Sequence, residues 1–212
     1  MNIVHITTWL DKLRQRYEVS LEETGIKDLK GWVVNEDATI EHESGRFFSI
    51  IGLQIKGAEE REVPSWSQPI MKQNECGILG MVRKNVDGDH HYLLQAKFEP
   101  GNIGFLQLSP TLQATKSNLE CVHKGKRPFL SEFFTGEQPV ETVIDIESVE
   151  DGGRFYKKTN RNIVVEVAPS KISELPENFI WVTKDEFKAL LREPLLVNSL
   201  VRSVMGSVYG IE

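Results

Sequence analysis

Three observations predict an α+β fold: apolar residues at helical spacing near both ends of the chain, alternating runs between them, and a turn signal at the centre of the longest alternating stretch. Thr7 to Tyr17 places Trp9, Leu10, Leu13 and Tyr17 on one side of an amphipathic helix. A turn region at Gly31-Trp32 follows. Phe47 to Ile55, rich in Phe and Ile, reads as a buried strand. Ile78 to Lys84 and His90 to Phe98 flank Asp87-Gly88-Asp89, which predicts a β-hairpin. Thr142 to Ser148 and Asn162 to Val167 are further strands, separated by the turn Asp151-Gly152-Gly153 and the basic run Arg154 to Arg161. Thr183 caps a helix running to about Leu191, with Glu186 at capping-box spacing, and Val197 to Val208 has the periodicity of another. No repeat and no Pro/Ser/Gly-rich linker marks a border, so the sequence reads as a single domain over residues 1–212, with an N-terminal helical segment at 1–30 and C-terminal helices at 183–212.

Composition narrows the functional classes. With 212 residues and 40% hydrophobic content, the chain can bury a good core. Its 25 basic and 31 acidic side chains give a net charge of -6, so no overall field favours nucleic acid or an anionic membrane, and neither is expected as a partner. A phosphate-bearing ligand would need a local basic cluster. Cys76 and Cys121 match no zinc or redox spacing, which suits a reduced intracellular protein. Asp11, Lys12 and Arg14 interrupt any leader-like apolar run, and no stretch is long enough to span a bilayer, so the expected location is the cytoplasm. His90 and His91 point to opposite sides of a strand and cannot share a metal. A glycine-rich phosphate loop and a GxSxG elbow are both missing. No cofactor and no metal are expected.

The polar strings are more informative. QAKFEPGN, Gln95 to Asn102, and QLSPTLQATKSN, Gln107 to Asn118, hold amides, hydroxyls, a lysine and a carboxylate at a density that a packing strand does not need. By strand parity Gln95, Lys97 and Glu99 share one face, just before the chain turns at Pro100-Gly101.

These strings, with SGRFFSIIGL (Ser44 to Leu53), WSQPIMKQNECGILG (Trp66 to Gly80), HKG (His123 to Gly125) and DGGRFYKKTNRNIVVEV (Asp151 to Val167), resemble the NDP-hexose 2,3-dehydratases of deoxysugar biosynthesis, in order from about Gly31 to the C-terminal helix. The resemblance implies a Nudix-like mixed β-sheet core with flanking helices, lacking the Nudix hydrolase motif. It also implies an enzyme that removes water across carbons 2 and 3 of a nucleotide-linked 4-keto-6-deoxyhexose, typically dTDP-linked, without a metal or redox cofactor. The helix bearing Arg-Glu and Glu-Glu pairs that holds magnesium in Nudix hydrolases is absent from this sequence. Typical members carry two such repeats in a chain of about twice this length. The sequence here holds one, and the resemblance then implies a homodimer, for which Trp9, Leu10, Leu13, Leu195, Val197, Leu200, Val201 and Val204 offer apolar helix surface, unless these helices simply cover their own sheet.

The chemistry needs a base, an acid and a set of hydrogen-bond donors. The 4-ketone acidifies the proton on carbon 3, and its removal leaves an enolate that donors must hold. Expulsion of the carbon-2 hydroxyl consumes a proton, and the resulting enol tautomerises to a 3,4-diketone. Glu99 is the first choice for the base, with Lys97 to stabilise the enolate or donate the proton; read locally, the pair is also an ordinary surface ion pair. His123 and Tyr156 are further acid/base candidates, each with a structural alternative. Gln95, Asn102, Thr111, Gln113, Thr115, Ser117 and Asn118 suit a sugar or pyrimidine, although such residues also build turns and caps. Trp66, with Gln68 beside it, could stack on a base or belong to a core. Arg83, Lys116, Lys124, Arg154 and Arg161 are candidate diphosphate partners or solubilising charge. The competing expectation is a catalytically silent sugar-nucleotide-binding protein of the same pathway.

Overall fold

Asp87 and Gly88 hold φ of 52° and 93°, the pair of positive values that a type I′ turn requires, and they fold β5 (Gly77–Val86) onto β6 (Asp89–Phe98) with Val86 opposite Asp89. This hairpin lies inside the larger of the two sheets. The computed structural model describes residues 2–121 and 125–209, with the side chains of Lys116 and Tyr209 excepted. The sequence gives no compositional border because an inserted segment has the same strand-rich character as its surroundings. The backbone nevertheless packs as two compact units, one from the described residues of Met1–Leu21, Gly77–Glu147 and Arg161–Glu212, the other from Glu22–Cys76 and Ser148–Asn160.

In the first unit, β6 pairs with β5, with β7 (Leu106–Ser109) and with β11 (Phe179–Thr183); β8 (Leu112–Ala114) pairs with β5. With β10 (Thr159–Glu166) and β9 (Glu141–Val149), the strand order is β11-β6-β5-β10-β9 in a seven-stranded sheet. The α+β reading is therefore correct.

Parity divides the sheet into two faces. Leu79 and Met81 of β5 and Tyr92, Leu94 and Ala96 of β6 share a core with α1 (Val4–Arg16), α3 (Lys184–Leu190) and α4 (Ser199–Tyr209). Burying Phe187 of α3 completely is worth about 1.5–3 kcal/mol. On the other face Val82 and Leu93 pack with Leu130, Phe133 and Phe134, supplied by a single turn of 3-10 helix at Ser131–Phe133 and its caps. Gly80 permits this close covering: a methyl there would stand 2.5 Å from Cε1 of Phe134. Helix α3 starts as expected, since Thr183 Oγ1 accepts from the Glu186 amide at 3.2 Å while Glu186 Oε2 accepts from the Thr183 amide at 2.8 Å.

The second unit holds β1 (Trp32–Val34), β2 (Ile40–His42), β3 (Ser49–Ile55) and β4 (Trp66–Lys72) in one four-stranded sheet of that order. Phe47 to Ile55 is thus a strand from Ser49 onward but not a buried one. Its side chains alternate on a sheet where, among the described residues of this unit, Ile70 is the one buried apolar side chain. The Gly31-Trp32 turn is confined to Gly31, at φ 77°, because Trp32 already begins β1. Tyr17 leaves the predicted helical face: it is the extended C-cap of α1 and 42% exposed.

The terminal helices cover their own sheet. Leu10, Leu13, Val197, Val201 and Val204 are at most 5% exposed within the first unit, so they are unavailable as an interface. Leu195 is the exception at 58%. Among the described residues no helix is long and apolar enough to cross a membrane.

Candidate functional site

On β6 the face that begins with core residue Leu93 continues through Gln95 and Lys97, where loop residues replace the aromatic cover. The result is a cavity of about 290 Å³ lined by Gln95, Lys97, Gln113, Asn118 and Lys126, with Phe129 and Phe179 among its apolar lining. Phe129 meets Phe179 edge-on, their ring centroids 5.0 Å apart. Five residues expected from the polar strings as ligand or catalytic groups, Gln95, Lys97, Thr111, Gln113 and Asn118, therefore line one cavity.

Glu99 joins them from the turn after β6. Its Oε1 accepts from Gln113 Nε2 at 2.7 Å and stands 3.8 Å from Lys97 Nζ. Lys97 Nζ also donates to the Gln113 carbonyl at 3.4 Å. Both charged groups are half-buried, with side chains 27% and 30% exposed. Burial pushes the Lys97 ammonium below the usual lysine range, and the Glu99 charge offsets part of that shift. A cation held in a partly dry cavity beside a carboxylate can act as an electrostatic partner or as a proton donor.

The remaining residues of the polar strings build the walls. Asn102 Nδ2 donates to the carbonyls of Lys97 at 3.2 Å and Phe105 at 3.3 Å, closing the turn that presents Glu99. Thr115 Oγ1 bonds with Ser117 Oγ at 2.7 Å and with Asn118 Oδ1 at 3.0 Å, a local cap over the short helix α2 (Lys116–Leu119). Thr111, at the cavity wall, is 2% exposed; its hydroxyl donates to Leu93 O, and the Val82 amide donates to it at 2.9 Å, so it also pins the two strands.

Two arginines are paired with carboxylates. Arg161 grips Asp145 with Nε on Oδ1 at 2.6 Å and Nη2 on Oδ2 at 2.5 Å, a fork that lowers the Asp145 carboxyl below its usual range. Arg83, 9% exposed, donates to Glu166 Oε2 at 2.7 Å. Arg161 is thus forked onto its carboxylate, while Arg83 meets its own through Nε.

Trp66, Gln68, Arg154 and Tyr156 belong to the second unit. Trp66 Nε1 donates to Gln68 Oε1 at 2.7 Å, and Gln68 Nε2 donates to the Gly153 carbonyl at 2.9 Å. Arg61 lies over the Trp66 ring at 5.5 Å. Arg154 pairs with Asp151 at 3.3 Å on an exposed turn, and the Tyr156 ring carries Lys157 Nζ at 5.3 Å from its centroid. Each of the four thus makes contacts within that unit. His123, Lys124 and the Lys116 side chain lie outside the described residues.

Sequence reasoning missed Lys126, Cys121, Phe129 and Phe179. The cluster Lys124, Lys126, Arg127 close after the second polar string was a usable signal for the first. Phe179 had none, because it reaches the cavity only through the pairing of β11 with Gln95. Among the described residues no group of three or more His, Cys, Asp or Glu side chains could hold a metal ion.

Residues 3–208 match the profile of the family described as NDP-hexose 2,3-dehydratase. Three relatives bear the name dTDP-4-dehydro-6-deoxy-alpha-D-glucopyranose 2,3-dehydratase. The one from Saccharopolyspora spinosa is 44% identical over 167 residues, 79% of this chain and 34% of its own. Those from Amycolatopsis orientalis and Streptomyces violaceoruber are 35% and 40% identical, over 97% and 94% of this chain and 44% and 45% of theirs. The chain thus spans less than half the length of these curated relatives. Among solved structures, an ADP compounds hydrolase is similar with a TM-score of 0.47 at 13% identity, covering 78% of this chain and 86% of its own. A Nudix hydrolase from M. smegmatis gives 0.38 at 16%, covering 75% and 97%. With its polar strings folded around one cavity and the profile matched over residues 3–208, the chain belongs to the NDP-hexose 2,3-dehydratase family.

Proposed function

We propose that this chain eliminates water across carbons 2 and 3 of a dTDP-linked 4-keto-6-deoxyhexose. The observation that carries the proposal is the meeting of Glu99, Lys97 and Gln113 at a cavity walled by amides, in a chain of this family. Glu99 takes the proton from carbon 3, whose acidity comes from the neighbouring ketone. Lys97 stabilises the enolate through its charge, which is worth most in a partly desolvated site. The carbon-2 hydroxyl then leaves as water, taking a proton, and the enol collapses to the 3,4-diketone. Gln95 and Asn118 hold sugar hydroxyls, while the Phe129 and Phe179 rings limit water on the apolar side.

This is a lyase reaction with no net change in the oxidation state of any cofactor, and we read it as independent of metal and of redox cofactors. The reading sets the enzyme in a reducing cytoplasm, in keeping with Cys76 and Cys121, neither of which forms a disulfide among the described residues. We further read the working form as a homodimer. The test is to incubate the protein with dTDP-4-keto-6-deoxyglucose and follow loss of water by mass spectrometry, trapping the diketone with a reductase. Binding of the sugar nucleotide with no loss of water would favour the silent binding protein instead.

A further inference from the structure

Gln113 holds both charged members of the site. Its carbonyl accepts from Lys97 Nζ at 3.4 Å, and its side-chain Nε2 donates to Glu99 Oε1 at 2.7 Å. Lys97 Nζ approaches that same oxygen at 3.8 Å. Two donors thus converge on Oε1, and among the described residues none is placed on Oε2. The amide has a fixed sense, since rotating it would set its oxygen against the carboxylate. Gln113 Oε1 is buried with no partner among the described residues, an arrangement that costs stability and points to a requirement at the other end of the amide.

We infer that Gln113 is a positioning residue for Glu99, anchoring Oε1 so that Oε2 is the atom that removes the proton from the substrate carbon. The inference rests on the proposed reading of Glu99 as the base. In that step the carbon-3 to hydrogen bond breaks, its electron pair forms the enolate with the ketone oxygen taking the negative charge, and the proton passes to Oε2. A carboxylic acid protonated on Oε2 still accepts a hydrogen bond at Oε1, so the Gln113 contact survives the transfer and the base need not reorient. The groups facing Glu99 are Lys97 from β6 and Gln113 from β8; Lys126 and Cys121 are the other titratable groups among the described lining of the cavity.

Gln113→Met removes the donor at similar volume, and Gln113→Glu replaces it with a like charge. Both should lower kcat about tenfold with KM changed less than about twofold. An unchanged kcat in Gln113→Met, or a loss of activity carried by KM instead of kcat, would overturn the inference. The reading of Glu99 as the base fails separately, through full turnover by Glu99→Gln, whatever the Gln113 variants do.

Discussion

The Thr111 hydroxyl donates to the Leu93 carbonyl while accepting from the Val82 amide, tying β5 and β6 together beneath the cavity. The strand pair that carries Gln95 and Lys97 is therefore pinned from below by a residue whose sequence context suggested a sugar contact. Thr111→Val would leave two buried backbone groups unpaired and should destabilise the protein by about 1–3 kcal/mol. Urea denaturation measures the loss, and an unchanged midpoint would show that the pin carries no stability.

Glu99→Gln should preserve the fold and ligand binding and lower turnover by about two to four orders of magnitude, the range for general acid-base groups. Its amide can still accept at oxygen, so circular dichroism should be unchanged. Mass spectrometry of the trapped product checks the rate; near-normal turnover would remove Glu99 from the mechanism.

Lys97 predicts a pH dependence with a definite sign. Burial lowers its pKa in the folded state below the ordinary 10.5, so between the folded value and 10.5 the unfolded chain binds more protons and stability rises with pH. Below the folded value both states are protonated and the full cost of burying the charge applies. Lys97→Met should abolish this alkaline gain. Comparing denaturation curves of the two proteins across that window isolates it; parallel pH profiles would place the ammonium in water.

Activity should survive exhaustive treatment with chelator, as the proposed elimination draws only on Glu99, Lys97 and neutral amides. Loss of turnover restored by a divalent ion would reassign the carboxylates of this site.

Light scattering at micromolar concentration should return twice the mass of one chain. The terminal helices are occupied by their own core, so the interface must draw elsewhere, and the second unit leaves Ile26, Val34 and Val63 at 47%, 43% and 54% exposure. Leu195→Glu should then leave the mass unchanged. A monomeric mass with full activity would remove the dimer.

Local signals carried most of the fold. The Asp87-Gly88 turn and the Thr183–Glu186 capping box act within a few residues, so sequence exposes them directly. Parity likewise placed Gln95 and Lys97 on one face. What the sequence hides is whether a polar atom is already engaged. Nothing around Arg161 announces Asp145, and nothing around Trp66 tells that Gln68 takes its N–H, because both partnerships depend on register. Strand β7, at four fully buried residues, was too short for its period to be read, and β11 lacked a turn signal at its start.

Helix α1 shares its core with α4: Leu10 and Leu13 pack in one cluster with Val201, Val204 and Val208, while Trp9 donates to Glu177 and Arg14 to Leu106. The same cluster takes in Leu106 and Leu108 of β7, so the two helices are coupled through one shared core. Fraying of α4 uncovers α1, so a protease acting near residue 10 reports on the state of residues beyond 200.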